Sequence, residues 1–356
     1  MPPAPNPSLR PTGHAIQTSQ RPSKKRLVGI IGLGMVIVAV IASIIFSSWL
    51  SYSILTPLGS GQSQIITIPE KSGVSDIAQL LEDKELIRSR LAFEIYVRFG
   101  PARSLLKPGP YQLKNSMSTV QIVDYLTAGK IAVRTFVARD GLTLKQLADS
   151  YQQQGFGTSA ELSEAIKQAV LPSEIQTVFG KRQSLEGFLL ADSYNLVINE
   201  PASALVKRML DNFQAKALPL FKVAKTPNNL TPYQVLTISS IVEKEASKSD
   251  DRAMIAEVFY NRLRLGIKLE SDVTVIYITG RIDPTATDLN IDSPYNTRKN
   301  PGIPPTPINS PSLASMQASL TPAPNDYLFF IGGKDGRVYY AKTFSEHQAN
   351  IRKYLD

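Results

Sequence analysis

The sequence predicts an α+β protein preceded by one transmembrane helix, and three observations carry that prediction. An uncharged apolar run of 24 residues lies near the N-terminus, short strand, turn and helix patterns alternate beyond residue 65, and a long helix begins near Thr231. The chain has 356 residues, 43% hydrophobic and 19% charged, which is the composition of a folded protein with a sizeable core.

Leu27 to Leu50 carries no charge and is rich in Ile, Val, Leu, Gly and Ala. As a helix it rises about 36 Å, enough to cross a hydrocarbon core. A cleaved signal peptide usually has a shorter apolar stretch and a small-residue cleavage site. Here Trp49 and Tyr52 stand where an interfacial anchor is expected. Arg10, Arg21, Lys24, Lys25 and Arg26 precede the run with no acid among them, and no charge follows it until Glu70. The positive-inside rule then places the N-terminus in the cytoplasm and the chain after about residue 52 outside a cell membrane. Residues 1–26 read as a disordered basic tail, with six prolines in the first 22 positions, 27–50 as the span, and 51–64 as a polar linker. Of the formal +9 charge, about +4 lies outside the tail, too little for a dedicated nucleic-acid binder.

Residues 65–155 read as one or two small α+β modules. Ile65 to Pro69 suggests a strand; Val74, Ile77, Ala78 and Leu81 then fall at helical spacing. Gly109 to Leu113 is a second strand candidate. Ser118 with Gln121 forms a capping box for a helix that ends at Gly129. Val133 to Val137 is a third strand, followed by a helix with Leu144, Leu147, Ala148 and Tyr151. This texture is similar to the LysM-like modules that bind wall glycans; the plainer alternative is an α+β spacer. Residues 156–356 read as a mixed α/β domain. Its first part, 156–230, looks mainly helical. Thr231, with Pro232 at the first helical position, opens a helix running toward Gly266, with a break expected near Ser249-Asp250. The proline density over 283–325 excludes helices there. Strands at Tyr327–Ile331 and Val338–Tyr340 and a helix over Ser345–Tyr354 close the chain.

The inventory narrows the chemistry. There is no cysteine, so disulfides, thiol catalysis and Cys-ligated metals are excluded. The two histidines, His14 and His347, leave little room for a His-based metal site or a Ser-His-Asp triad. Carboxylates are the natural candidates. On a helical wheel with Ile238 at zero, Ile241 lies at about −60°, Val242 at about +40° and Glu245 at about −20°. Glu245 thus sits inside the apolar stripe, while Glu243 falls near 140° on the polar side with Ser239. A carboxylate on an apolar stripe loses hydration and its pKa rises, as a general acid near neutral pH requires. The alternative is a buried Glu satisfied by an arginine such as Arg252 or Arg262. Ser240 and Lys244 are also four apart, but Lys244 falls on the polar face, against a Ser-Lys nucleophile pair.

The stretch Ser240-Ile241-Val242-Glu243-Lys244-Glu245 is followed by Val258 to Ile267 and by Leu269-Glu270-Ser271-Asp272 running on to Tyr277. Further along come Tyr295-Asn296-Thr297, Gly302-Ile303-Pro304-Pro305, Pro307-Ile308 and Phe344-Ser345-Glu346-His347. Together these resemble the YceG-like (MltG) family of endolytic murein transglycosylases, in order and spacing from about residue 65 to the C-terminus. Departures stand at Ala191, Val273 and Thr306, read as loop positions. The resemblance implies cleavage of the β-1,4 bond between N-acetylmuramic acid and N-acetylglucosamine within peptidoglycan strands, leaving 1,6-anhydromuramyl ends. It implies no cofactor and no metal, and peptidoglycan synthases as partners. Glu245 matches the family's catalytic acid, the residue the wheel singles out. Glu186, Asp192, Tyr194, Asp272, Tyr295 and Asn296 are candidates to line the cleft and bind substrate, each with a structural alternative as cap, core residue or ion-pair partner. Glu243 is read as structural. A non-catalytic membrane-anchored wall-binding scaffold and a hydrolysing muramidase are the competing functions.

Overall fold

The computed structural model of the chain describes residues 24–100, 105–246 and 251–355. Most of the expected N-terminal tail and the expected helix break near Ser249-Asp250 lie outside those residues. The chain forms two compact units, Met1–Ile131 and Ala132–Asp356, dividing well before residue 155. Both units mix helices with two-stranded antiparallel sheets.

The first unit begins with α1, Lys24–Leu55. Its stretch Val28–Leu55 is long and apolar enough to cross a membrane, and most of its apolar side chains are exposed. The helix runs past Leu50 into the segment expected as a linker. Its end is tied down: the Arg88 guanidinium lies 4.9 Å over the Tyr52 ring and donates to the carbonyls of Thr56 (3.3 Å) and Pro57 (2.7 Å). Thr119 Oγ1 donates to Ser53 O, and the amides of Leu58 and Gly59 donate to Asn115 O. A Cβ at Gly59 would lie 2.4 Å from the Asn115 side-chain Nδ2, so a larger residue there would have to displace that side chain. Strand β1, Ser63–Ile68, leads to α2, Val74–Asp83, and α3, Arg90–Phe99, before β2, Gly109–Lys114, pairs antiparallel with β1. Helix α4, Thr119–Ala128, follows with its Ser118–Gln121 capping box and Gly129 in the left-handed region. Ile66 and Ile68 alternate into a core with Leu81, Phe93, Tyr111 and Leu126.

In the second unit β3, Val133–Val137, is followed by α5 (Leu144–Gln153), α6 (Ser159–Gln168) and α7 (Ser173–Phe179). Strand β4, Ser193–Val197, pairs with β3, so residues 132–155 belong with this unit; no strand was expected over 156–230. Helix α8 (Ala202–Asn212) passes through a π turn into α9, Leu218–Val223. Helix α10 spans Pro232–Glu245 and α11 Arg252–Arg264, so the expected long helix is two. Helix α12, Asp272–Thr279, contains Val273, which is helical rather than in a loop. Helix α13, Leu313–Leu320, forms inside the proline-rich region, in a stretch that carries no proline of its own, with Ser312 as N-cap. Strands β5, Phe329–Gly332, and β6, Val338–Ala341, and helix α14, Phe344–Tyr354, complete the unit.

Helix α10 organises this unit. It is buried on nearly every side from Tyr233 to Val242. Val235 and Leu236 belong to one core, with Phe136, Phe179, Phe188 and Phe213, while Ile238, Ile241 and Val242 belong to a second with Ile255, Phe259 and Tyr260. Ser239 and Ser240 are fully buried, so the side read as polar is closed at these positions, while Lys244 in the last turn is exposed. The two serine hydroxyls donate to the carbonyls of Val235 (2.8 Å) and Thr237 (2.7 Å), which satisfies them locally. The proline-rich chain runs along the helix: Ile308 N donates to Ser240 Oγ (2.9 Å) and Asn309 Nδ2 to Ser240 O (2.7 Å). Ile241→Ala removes a fully buried side chain beneath the functional end of α10. It should destabilise the second unit by about 2–5 kcal/mol, read as a lower urea midpoint.

Candidate active site

Glu245 is the last residue of α10, and Ala246 after it turns extended (φ −83°, ψ 108°). Its carboxylate opens on a cleft of about 400 Å3 whose walls include Arg262, Glu270, Ser271, Asp272, Arg298, Phe329, Phe344 and His347. Ser271 Oγ donates to Glu245 Oε1 at 2.5 Å. Ser271 is itself fixed from behind: its amide donates to Thr297 Oγ1 (3.1 Å), its carbonyl accepts from Thr274 Oγ1 (2.7 Å), and the Glu270 amide donates to Thr297 O (3.1 Å). Glu270 holds a left-handed φ of 55°, an uncommon conformation for a glutamate, and its carboxylate pairs with the buried Arg262. Arg262 also donates to the carbonyls of Lys268 (2.6 Å) and Leu328 (3.0 Å), which explains how the turn is held.

Burial pushes the Glu245 carboxyl above the usual carboxylate range. The Ser271 hydrogen bond opposes this and the nearby Asp272 charge adds to it. Asp272 lies in the same cleft, half exposed, held by Arg298 at 2.6 Å. Glu243 points elsewhere. Its Oε2 accepts from Ser312 N (2.9 Å), Ser312 Oγ (2.5 Å) and Ser315 Oγ (2.7 Å) at the start of α13, and Arg252 lies 4.0 Å from Oε1. This is the anion position at a helix N-terminus, a structural role.

The other residues singled out in the sequence lie outside the lining of this cleft. Glu186 is buried, accepting from Leu144 N at the start of α5 (3.1 Å) and from the Tyr277 hydroxyl (3.3 Å). Its carboxyl is pushed up to about 8, chiefly by burial, with those two hydrogen bonds opposing. Tyr295 packs on Tyr277 with ring centroids 5.1 Å apart and shares a hydrogen bond with Thr306 (3.0 Å). Asn296 is fully buried and donates to the carbonyls of Leu289 (3.1 Å) and Ile291 (2.8 Å), pinning the loop that carries Thr297. Asp192 is bound by Lys216 (2.6 Å), Asn212 (3.0 Å) and the Ser193 amide, which hold its carboxyl down at about 2. Tyr194 donates to Leu190 O and accepts from Asn212, joining β4 to α8. Ser240 is buried against Ile308 while Lys244 is exposed, so the Ser-Lys pair does not form a site. The sequence reading missed Ser271 and Thr297 as the groups that position Glu245, and Phe329, Phe344 and His347 as a cleft wall. The Glu270-Ser271-Asp272 triplet at the start of α12 was the available signal for Ser271.

With this geometry in view, the comparisons are specific. The model of the YceG-like family matches residues 66–353. The chain belongs to the YceG-like family. It is 32% identical over 335 residues to a Streptococcus pneumoniae serotype 2 protein named endolytic murein transglycosylase, matching 85% of this chain and 60% of that protein. The chain thus spans less than two thirds of that relative. A Bacillus subtilis protein of the same name is 33% identical over 307 residues, matching 82% of this chain and 84% of its own length. A crystal structure of a putative yceG-like protein from Listeria monocytogenes superposes with a TM-score of 0.52 at 34% identity, covering 82% of this chain and 99% of that one.

Glu186 gives a test by pH. Its folded pKa, about 8, lies above the unfolded value near 4.3. Between the two values the folded state holds a proton that the unfolded state has lost. The contribution to stability is therefore full below about pH 4.3 and is lost as pH rises to about 8. Glu186→Gln keeps the shape without the charge. Its thermal midpoint should fall less than that of wild type between about pH 5 and about pH 8. An identical fall in both proteins would show that Glu186 ionises freely.

Proposed function

We propose that this chain is a membrane-anchored endolytic lytic transglycosylase that cleaves the MurNAc-β-1,4-GlcNAc bond within peptidoglycan strands and leaves 1,6-anhydroMurNAc ends. The observation that carries the reading is Glu245: a half-buried carboxyl with a raised pKa, opening on a cleft, while Glu270 and Asp272 beside it are each engaged by an arginine. The names of the curated relatives point the same way.

In this mechanism Glu245 is protonated when substrate binds and gives its proton to the glycosidic oxygen as the C1–O bond breaks. Positive charge develops at C1 and the ring oxygen. The resulting Glu245 carboxylate then takes the proton of the same sugar's C6 hydroxyl while that oxygen bonds to C1. No water is consumed, and the carboxyl ends protonated as it began. An intramolecular nucleophile replaces the positioned water or second carboxylate of ordinary glycosidases. The burial that raises the pKa supports the first step. The Ser271 hydroxyl, aimed at Oε1, supports the second by stabilising the carboxylate once formed.

A hydrolysing muramidase is the second reading, because Asp272 and Glu270 supply carboxylates in the same cleft. Their arginine partners count against either one activating water. A wall-binding scaffold draws support from the first unit, whose β1-α2-α3-β2 order suits a LysM-like, glycan-binding module. We assign α1 as the anchor, with the N-terminus cytoplasmic on the strength of the five cations that precede its apolar run. The catalytic domain is then extracytoplasmic, and peptidoglycan synthases are fitting partners for an enzyme that ends strands as they grow.

Purified peptidoglycan incubated with the full chain should yield anhydromuramyl ends by mass spectrometry. Glu245→Gln should lower that yield by at least about a hundredfold. Reducing ends in place of anhydro ends would favour the muramidase. Glycan binding without either product would favour the scaffold.

A further inference from the structure

One wall of the Glu245 cleft is aromatic, and the mechanism above does not use it. On strand β5, Phe330 packs on the second core, meeting Phe259 edge-on at 5.8 Å, and both it and Phe329 line the cleft. The His347 ring stacks on Phe329 (5.2 Å between centroids, 25° between planes), and Phe344 closes the group at 5.9 Å from Phe329 and 6.3 Å from His347. Phe344 is the first residue of α14 and is 59% exposed, so its ring lines the cleft without being part of a core. The rest of the lining includes the polar groups of Glu245, Ser271, Asp272, Glu270 and Arg298, and the Arg262 guanidinium lies 5.2 Å over the Phe329 ring.

His347 adds a hydrogen-bonding group to the aromatic side. Its Nδ1 is buried and has no hydrogen-bond partner. A buried N–H without an acceptor is rarer than an unfilled acceptor, which favours the tautomer with the proton on Nε2. Burial and the Arg262 charge both push the His347 pKa down, with Glu270 opposing, and so favour the neutral ring. A pyranose has one face of C–H bonds and a rim of hydroxyl and acetamido groups. An aromatic platform beside a lone donor, in a cleft that also carries polar side chains, is complementary to it.

We propose that Phe344, Phe329 and His347 form a sugar platform, on which one hexosamine ring of the glycan stacks against Phe344 while His347 Nε2–H donates to an oxygen on its rim. The proposal rests on the transglycosylase reading and gives that reading a residue-level account of how the strand is held beside Glu245.

The test separates binding from turnover. The full chain carrying Glu245→Gln is titrated calorimetrically with peptide-free glycan strands, alone and combined with Phe344→Ala, Phe344→Trp or His347→Phe. Phe344→Ala should weaken binding about five- to tenfold and Phe344→Trp should restore it. His347→Phe, which keeps the ring and removes the donor, should weaken binding by a smaller factor. In the active chain, Phe344→Ala should raise KM by more than it lowers kcat, the signature of binding lost equally from ground and transition states. Its thermal midpoint should stay at the wild-type value because the ring is exposed. Wild-type anhydro-end formation with unchanged affinity and KM in Phe344→Ala would overturn the platform alone. Absence of both anhydro ends and glycan binding in wild type would remove the transglycosylase reading and the platform with it.

Discussion

The Ser271 hydroxyl meets Glu245 across 2.5 Å, and the chemistry proposed for this protein depends on how that contact is built. Glu245 comes at the end of a helix whose preceding turns are buried on nearly every side, so the carboxyl is dehydrated by the packing that positions it. It also sits at the negative end of the α10 dipole, which disfavours its anion further. Against these effects stands one hydrogen bond, from a serine locked by Thr274 and Thr297. Burial therefore favours the protonated carboxyl, and the hydrogen bond from the frame around Ser271 opposes it.

Three glutamates show how far environment decides role. Glu243, two residues before Glu245, meets three donors at the N-terminus of α13 and fastens that helix to α10. Glu186 is buried against one amide and one tyrosine hydroxyl, too few partners to offset its dehydration, and its pKa climbs to about 8. Glu245 is dehydrated as well, yet of the three it alone opens on the cleft. A raised pKa by itself would not single out a proton donor, since Glu186 has one too. Access to the cleft separates them.

That distinction marks the limit of what the sequence could disclose. Helix caps are local, so Ser118–Gln121, Thr231 and Gly129 could be read directly, and so could α1 from its unbroken apolarity. The apolar stripe located Glu245, although the stripe is really a helix buried almost all round; Ser239 and Ser240 look polar on a wheel because their local hydrogen bonds to the backbone cannot be seen there. Asp192 and Tyr194 were natural site candidates by residue type, but their partners Asn212 and Lys216 come from the α8 turn some twenty residues later, a pairing no local pattern announces. Strand β4 was hidden for the same reason, since its partner β3 lies about sixty residues earlier. The aromatic wall was the hardest to find, because Phe329 and Phe344 read as ordinary apolar residues until β5 and α14 bring them to one cleft.

The first unit carries a physical consequence for the anchored reading. A flexible linker after a membrane helix would let the following module roam, but here α1 runs to Leu55 and the next residues are held by Arg88 and Asn115. The helix and the β1-α2-α3-β2 module thus share one hydrogen-bonded frame. If Trp49 marks the membrane interface, Leu55 stands about 9 Å farther along the helix. The module that follows is then held close to the headgroups. The constraint comes from a guanidinium over Tyr52 and the two carbonyls it caps, so the closeness of this module to an anchored α1 is tied to a contact in the chain as well as to the presence of an anchor.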